Sequence, residues 1–251
     1  MGKRRLDVLL VERGLVETRE KARALVMAGS VLVNRGQVLK PGALVDEGAS
    51  LEVARRQRYA SRGGEKLEHA LGAFALDVHG FVAADIGAST GGFTDCLLQH
   101  GAARVYAIDV GHGQLDYRLR HDPRVIVMER VNVRYLEALA EPINIVTADV
   151  SFISLRLVLP VVRSLLSPGG SIVALFKPQF EAKRGEVSRG GVVRDPLLHA
   201  TLIGRFAAWC VTSGFRIRGL ISSPLLGPAG NREFFFWLKP VLSEAEGAAS
   251  Q

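Results

Sequence analysis

The sequence predicts an α/β protein in two parts: a small α+β module, then a seven-stranded, mostly parallel, doubly wound sheet. Three observations carry this. The apolar run Phe81-Val82-Ala83-Ala84 leads into Asp85-Ile86-Gly87-Ala88-Ser89-Thr90-Gly91-Gly92-Phe93 and then a helix-like segment, 94–100. Strand, glycine turn and helix in that order make the first crossover of an open α/β sheet, where a nucleotide-sized cleft forms. From there to residue 238 strand-like and helix-like runs alternate, whereas before Tyr59 the elements are short and their period keeps changing.

Residues 1–58 are expected to form the first domain. Leu6, Leu9 and Leu10 share one face of a short helix that Gly14 ends. Thr18 can cap a second helix, which carries Ala22, Leu25 and Val26 inward and stops at Gly29. Val31-Leu32-Val33, the Asn34-Arg35-Gly36 turn, Val38-Leu39, the Lys40-Pro41-Gly42 turn and Leu51-Glu52-Val53 then read as short strands. A fold of this size has little core. Residues 59–63 read as a linker, 64–240 as the second domain, and 241–251 as a disordered tail of small residues.

In the second domain strands are expected at 81–86, 105–109, 125–128, 144–149, 171–176, 215–221 and 233–238. Helical segments separate most of them, which makes the sheet mostly parallel. The seventh strand follows the sixth through a loop with no helix, so it should run antiparallel beside it.

Composition sets limits. At 251 residues, with 48% hydrophobic residues and a mean hydropathy of +0.18, there is ample material for a real core. Asp7, Glu12 and Arg13 break up the N-terminal apolar residues, so no secretory leader is expected. No apolar run approaches membrane-spanning length, and a cytoplasmic chain is expected. Cys96 and Cys210 sit in apolar helical contexts and read as buried thiols, and no two histidines lie three or four apart, which argues against a metal site. The net charge of +7 is informative where it clusters. Arg4, Arg5, Arg19, Lys21 and Arg23 lie in the first module, Arg55, Arg56 and Arg58 follow its last strand, and Arg62 comes just beyond it. Concentrated positive charge is what a phosphate backbone selects. Arg184 and Arg189, in a later glycine-containing loop, could touch phosphate or stay solvated.

The glycine turn narrows the cofactor. A dinucleotide site needs G-x-G-x-x-G, with pyrophosphate resting on backbone N–H groups. Here an acid precedes the turn and the glycines fall as G-x-x-x-G-G. A carboxylate placed there disfavours an anionic cofactor and suits S-adenosyl-L-methionine, which carries a sulfonium, an ammonium and no phosphate. Asp109, ending the next strand, is placed to accept hydrogen bonds from ribose hydroxyls. The expected pocket is Asp85, Gly87, Ala88, Ser89, Gly91, Gly92 and Phe93 around the methionine part, with Asp109, Val110 and Asp149 beside them. Asn132 reads equally as a contact to the adenine edge or as a helix cap.

Four more ionisable residues fall at strand ends or just before the first strand: Lys66, Asp149, Lys177 and Glu233. Lys177 directly follows Val173-Ala174-Leu175-Phe176, so its ammonium is expected to be partly desolvated, which lowers a lysine's pKa.

These residues also carry resemblances. The run from Arg5-Leu6-Asp7 through Glu12-Arg13-Gly14-Leu15-Val16, Arg19-Glu20-Lys21-Ala22, Val33-Asn34-Arg35-Gly36 and Lys40-Pro41-Gly42 resembles the S-four-type RNA-binding domain. Lys66, Asp149, Lys177 and Glu233 are similar to the Lys-Asp-Lys-Glu tetrad of FtsJ-like ribose 2′-O-methyltransferases, which have a class I, Rossmann-like architecture. With Ser61-Arg62-Gly63, Lys177-Pro178-Gln179-Phe180-Glu181 and Gly190-Gly191-Val192-Val193, nearly the whole chain resembles the TlyA family. That resemblance implies cytidine 2′-O-methylation of ribosomal RNA, with ribosomal RNA or ribosomal subunits as partner and no protein partner. The short C-terminal form points to the large-subunit (23S) RNA, with the small-subunit (16S) RNA as a second target. By the same match Lys177 would orient and deprotonate the 2′-hydroxyl, Asp149 and Glu233 would hold the lysines, and Lys66 would steady the oxyanion or ribose. The residues alone leave open which lysine takes the proton. Three rivals remain at this stage. A membrane-active haemolysin, the family's historical label, would need an amphipathic or spanning segment. A non-catalytic RNA binder would tolerate loss of a tetrad residue. A base methyltransferase would carry a different motif after the fourth strand than Asp149-Val150-Ser151-Phe152.

Overall fold

The computed structural model describes residues 2–27, 29–38, 40–53, 58–183, 185–187 and 190–241. They fall into two compact units, 1–57 and 58–251.

The first unit runs β1 (Lys3–Arg5), α1 (Leu6–Glu12), α2 (Arg19–Met27), β2 (Val31–Val33), β3 (Gly36–Gln37), β4 (Leu44–Asp46) and β5 (Leu51–Val53). Leu6, Leu9 and Leu10 of α1 bury against Ala22 and Val26 of α2 and against Val31, Val45 and Leu51, as the spacing predicts. Thr18 starts α2, its Oγ1 accepting from Lys21 N at 3.2 Å. β2 is the middle of an antiparallel three-stranded sheet, β3-β2-β5, and β1 pairs with β4 in a separate antiparallel ribbon. That ribbon was not expected, because Lys3–Arg5 is exposed throughout and shows no alternation. The strand expected at Val38-Leu39 is instead Gly36–Gln37, and Leu39 lies outside the described residues.

Asp7 organises the charge of this unit. It is fully buried, and it accepts Arg5 Nε and Nη2 and Arg19 Nε, each at 3.0 Å. The two guanidiniums hold its carboxyl well below the usual range, at about 2. Arg5 and Arg19 are therefore internal counterions whose outer faces stay half exposed. Arg4 pairs with Glu12 and Glu47, and Lys21 with Glu17, while Arg23 has no acidic partner among the described residues. Arg55 and Arg56 lie outside the described residues.

The second unit runs α3 (Arg62–Ala73), β6 (Val82–Ile86), α4 (Gly92–Gln99), β7 (Arg104–Asp109), α5 (Tyr117–Arg120), β8 (Val125–Glu129), β9 (Ile143–Ala148), α6 (Leu159–Ser164), β10 (Leu166–Phe176), α7 (Pro178–Glu181), α8 (Pro196–Thr212), β11 (Phe215–Ser222) and β12 (Phe234–Pro240). Its seven-stranded sheet has the order β11-β12-β10-β9-β6-β7-β8. Every pairing is parallel except those of β12, which runs antiparallel between β10 and β11 as the helix-free connection requires. Strand alternation divides the core between the two faces. Ile172, Ala174 and Phe176 pack with Phe206 and Phe236, whereas Val173 and Leu175 pack with Leu67, Leu97 and Phe235. The chain order reverses around β6, which has β7 on one side and β9 on the other, so the cleft opens at the carboxyl ends of these strands.

Residues 59–63, expected as a linker, are packed into this unit. Tyr59 is buried against α3, Ala60 N donates to Asp95 Oδ2 at 2.8 Å, and Ser61 Oγ caps α3 by accepting from Gly63 N. A large aromatic ring in the core and a helix cap leave no slack for a tether. Cys96 and Cys210 are free and buried, and burial pushes both thiols up to about 12. Residues 242–251 of the expected tail lie outside the described residues.

Candidate active site

Lys66, Asp149, Lys177 and Glu233 all line one cavity of about 300 Å³. Three features of the chain bring them there. Lys66 is in the first turns of α3, whose start packs on the start of α4 so tightly that a Cβ on Gly92 would lie 2.2 Å from Ser61 Oγ. Lys177 precedes Pro178, which keeps it extended (φ −114°, ψ 103°) and prolongs β10 into the cavity. Phe176 pairs with Phe234 across the antiparallel β10–β12 ladder, so the next residues, Lys177 and Glu233, fall side by side.

The four residues form two ion pairs. Lys66 Nζ lies 2.5 Å from Glu233 Oε2, with side-chain exposures of 10% and 1%. Lys177 Nζ lies 2.6 Å from Asp149 Oδ1 and donates to Ser151 Oγ at 2.9 Å. Asp149 Oδ1 is buried and off the line for a hydrogen bond, so its contact with the ammonium is ionic and the directed bond goes to the serine.

A second cavity, of about 530 Å³, adjoins the first. Gly87, Ser89, Asp149 and Ser151 line both. Ile108, Val131, Val133 and Ile153 give it apolar walls, and Asp109 supplies a carboxylate at the end of β7. That carboxylate is fixed by Ser89 N at 2.8 Å and Gly111 N at 2.6 Å. Gly87 is obligatory where the cavities meet: its φ is +82°, and a Cβ there would lie 2.5 Å from the Asp149 carbonyl oxygen.

Of the expected cofactor residues, Ala88, Gly92 and Phe93 line the first cavity and Val110 and Asn132 the second. Asn132 Oδ1 accepts from Arg134 N at 3.1 Å, so it also caps the turn Val133–Tyr135. Two of the expected residues lie outside both linings. Gly91 lines neither of these cavities; it is the left-handed residue (φ +92°) from which α4 starts. Asp85 also lines neither. It is fully buried beneath the turn, accepting Thr94 Oγ1 at 2.7 Å and Thr147 Oγ1 at 3.0 Å. Its role is to tie β6 to α4 and β9, which the sequence hid because both threonines reach it only through the tertiary fold. Among the expected RNA-binding residues, Arg62 lines the first cavity and Arg58 pairs with Glu68, while Arg184 and Arg189 lie outside the described residues. Ser151 was missed. So was Phe152, which is 92% exposed, has a φ of +63° and packs its ring 5.2 Å from that of Phe180.

Burial raises the Asp85 carboxyl to about 7, against the smaller opposing effect of the two threonine hydroxyls. The native state then holds a proton that the unfolded chain releases near pH 4, so this group makes stability fall as pH rises from about 4 to 7. Asp85→Asn keeps an amide that can serve both threonines and has no proton to lose. The variant's thermal midpoint is expected to depend less on pH over that window than the native chain's, and parallel profiles would contradict this account of Asp85.

A family model described as FtsJ-like methyltransferase matches residues 59–240, and an S4 domain model matches 4–51. The chain is 45% identical over 248 residues to the 16S/23S rRNA (cytidine-2′-O)-methyltransferase TlyA of Mycobacterium tuberculosis, covering 97% of this chain and 92% of that one. The chain belongs to the TlyA family. Another relative, YqxC of Bacillus subtilis, is named as a proposed rRNA methyltransferase; it is 51% identical over 244 residues, 94% of this chain and 85% of its own. A solved structure from Streptococcus thermophilus, named as a proposed hemolysin, superposes with a TM-score of 0.74 at 46% identity, covering 97% of this chain and 90% of that one. The larger unit of this TlyA-family chain is thus an FtsJ-like methyltransferase domain, and the smaller an S4 domain. No helix among the described residues is long and apolar enough to cross a membrane.

Proposed function

We propose that this chain transfers a methyl group from S-adenosyl-L-methionine to the ribose 2′-hydroxyl of cytidine in ribosomal RNA, acting in the cytoplasm. The observation that carries the proposal is the shared wall. Lys66, Asp149, Lys177 and Glu233 line one cavity, and Asp149 also lines the adjoining one that holds the Asp109 carboxylate. A nucleophile in the first cavity would face a donor in the second.

The second cavity fits the cofactor chemically. Its apolar walls suit an adenine ring, Asp109 suits ribose hydroxyls, and the junction at Asp149 offers a carboxylate to a cationic centre. Bound S-adenosylmethionine supplies an activated sulfonium methyl. What remains for the chain is alignment and the handling of one proton. Lys177 Nζ, held by Asp149 and Ser151 near the shared wall, is the atom that would orient the 2′-hydroxyl; as a neutral amine, having first released one proton to solvent, it would receive the hydroxyl's proton. Lys66 lines only the first of the two cavities, so it would steady the far side of the ribose, fixed there by Glu233.

Asp109→Ala tests the cofactor assignment. It removes a charged acceptor, and the expected loss of affinity is about 1.5–3 kcal/mol. Calorimetry with S-adenosylmethionine reads it directly, and an unchanged dissociation constant would place the ribose elsewhere.

In this proposal residues 1–58 grip RNA and residues 64–240 carry the chemistry. Arg23 is the basic residue of α2 free of acidic partners among the described residues, and Arg5 and Arg19 present half-exposed guanidiniums already anchored on Asp7. Each phosphate contact contributes roughly 0.7–0.9 to the slope of log affinity against log salt. Arg23→Ala is therefore expected to lower affinity for ribosomal RNA and to flatten that slope by about one contact. An unchanged slope would make Arg23 a solvated residue. The proposal as a whole is tested by incubating the purified chain with tritiated S-adenosylmethionine and ribosomal RNA: label must enter the RNA, and a chain that binds RNA but transfers nothing is a non-catalytic binder.

A further inference from the structure

Ser151 stands where the two cavities meet, and its hydroxyl touches the tetrad. It follows Asp149 by two residues in the loop after β9 and lines both cavities. Of the other three residues common to both, Gly87 has no side chain, Asp149 faces Lys177, and Ser89 Oγ donates to Gln114 Oε1 at 3.2 Å. Ser151 Oγ alone among these four accepts a directed hydrogen bond from a tetrad lysine, at 2.9 Å from Lys177 Nζ.

An ammonium has three N–H groups, tetrahedrally arranged, on a stem that rotates freely unless something holds it. In Lys177 the Asp149 carboxylate draws the charge without a well-aligned hydrogen bond, so it fixes where the nitrogen sits better than how it is turned. The Ser151 bond fixes the turn. With both in place, the remaining tetrahedral direction is set toward the cavity, an N–H in the ammonium and the lone pair once that proton has gone to solvent. Phe180 adds a wall on a further side, its ring centre 5.9 Å from the nitrogen.

The geometry points to Ser151 as a positioning residue for methyl transfer: it accepts from Lys177 and thereby sets the direction in which Lys177 meets the ribose hydroxyl. This rests on the proposed reaction. Two properties of a serine suit the task. Its oxygen accepts the lysine N–H from a short side chain, which leaves the cavity beyond the nitrogen open to the substrate sugar. Alanine would remove the acceptor at almost no cost in packing, because Ser151 is exposed at the cavity mouth. Threonine would keep it.

The test compares Ser151→Ala, Ser151→Thr, Lys177→Ala and the Ser151→Ala/Lys177→Ala double variant in single-turnover methyl transfer with enzyme in excess. Ser151→Ala is expected to slow transfer about 10- to 100-fold, the loss for a hydrogen bond to a charged group, with affinities for S-adenosylmethionine and RNA unchanged. Ser151→Thr should recover most of the rate. In the Lys177→Ala background the serine replacement should have no further effect, because its influence passes through that lysine. A native rate in Ser151→Ala, an additive loss in the double variant, or a loss of cofactor affinity would each overturn the assignment. A second measurement stands apart from activity. In lysine 15Nζ spectra of the full chain, with the signal assigned by Lys177→Arg, the Lys177 ammonium should lose its restricted motion in Ser151→Ala. An unaltered signal counts against the serine, whereas failure of the native chain to methylate RNA counts against the reaction.

Discussion

Lys177→Ala should abolish most methyl transfer while S-adenosylmethionine binding stays close to native. Lys177 lines the first cavity and is absent from the lining of the second, the proposed cofactor cavity, so removing its amine would deprive the 2′-hydroxyl of its proposed partner without opening the adenosine side. Positioned acid–base groups contribute typically about 10²–10⁴ in rate, and a loss of that order is expected. Asp149 would lose its cation, but it is a quarter exposed and can take up water, so the fold should hold. Single-turnover transfer and calorimetry separate the two properties. Native turnover in the variant would remove Lys177 from the chemistry; a parallel loss of cofactor affinity would move it into the wrong cavity.

The second large effect is on stability. Glu233→Ala leaves Lys66 charged at a site where its side chain is 10% exposed and its counterion is gone. Breaking one side of a buried ion pair costs about 3–5 kcal/mol, because the surviving charge is desolvated and unpaired. For a unit of this size each kcal/mol moves the midpoint about 2–4 °C, so a drop of roughly 6–20 °C is expected. The paired replacement Lys66→Met/Glu233→Leu removes both charges and should recover much of the midpoint without recovering activity. That split would show the pair to be held for function. If Glu233→Ala melts like the native chain, the pair is solvated and its place in the cavity wall is wrong. Lys177→Ala, whose partner can hydrate, should melt much nearer to native.

The sheet was legible because β-forming runs end in residues with a distinct chemistry. Asp109, Asp149 and Lys177 each stand where a strand stops. The helix-free step between Phe215–Ser222 and Phe234–Pro240 correctly implied an antiparallel pair. Pairings between distant residues were not legible. The sequence lists four ionisable groups but cannot say that Lys66 meets Glu233 across 167 residues while Lys177 takes Asp149 and Ser151. The burial of Asp85 was hidden for a related reason. An acid ahead of a glycine turn looks exposed until Thr94 and Thr147 close over it. Asp7 appeared only to interrupt an apolar run, yet it is the buried centre on which Arg5 and Arg19 converge. Arginine clusters therefore overstate the charge a module offers to RNA, since part of it is spent internally.

The most direct test of the central claim is the position of the methyl group. Ribosomal RNA incubated with the chain and S-adenosylmethionine is digested to nucleosides and fragments and analysed by mass. The account predicts one methyl on the ribose of a cytidine, with the phosphodiester 3′ to it resisting alkaline cleavage because its 2′-oxygen is blocked. Mapping both the large- and small-subunit RNAs reads which of them carries it. A methyl on the base, leaving that phosphodiester alkali-labile, would contradict the assignment of Lys66, Asp149, Lys177 and Glu233 to a ribose hydroxyl.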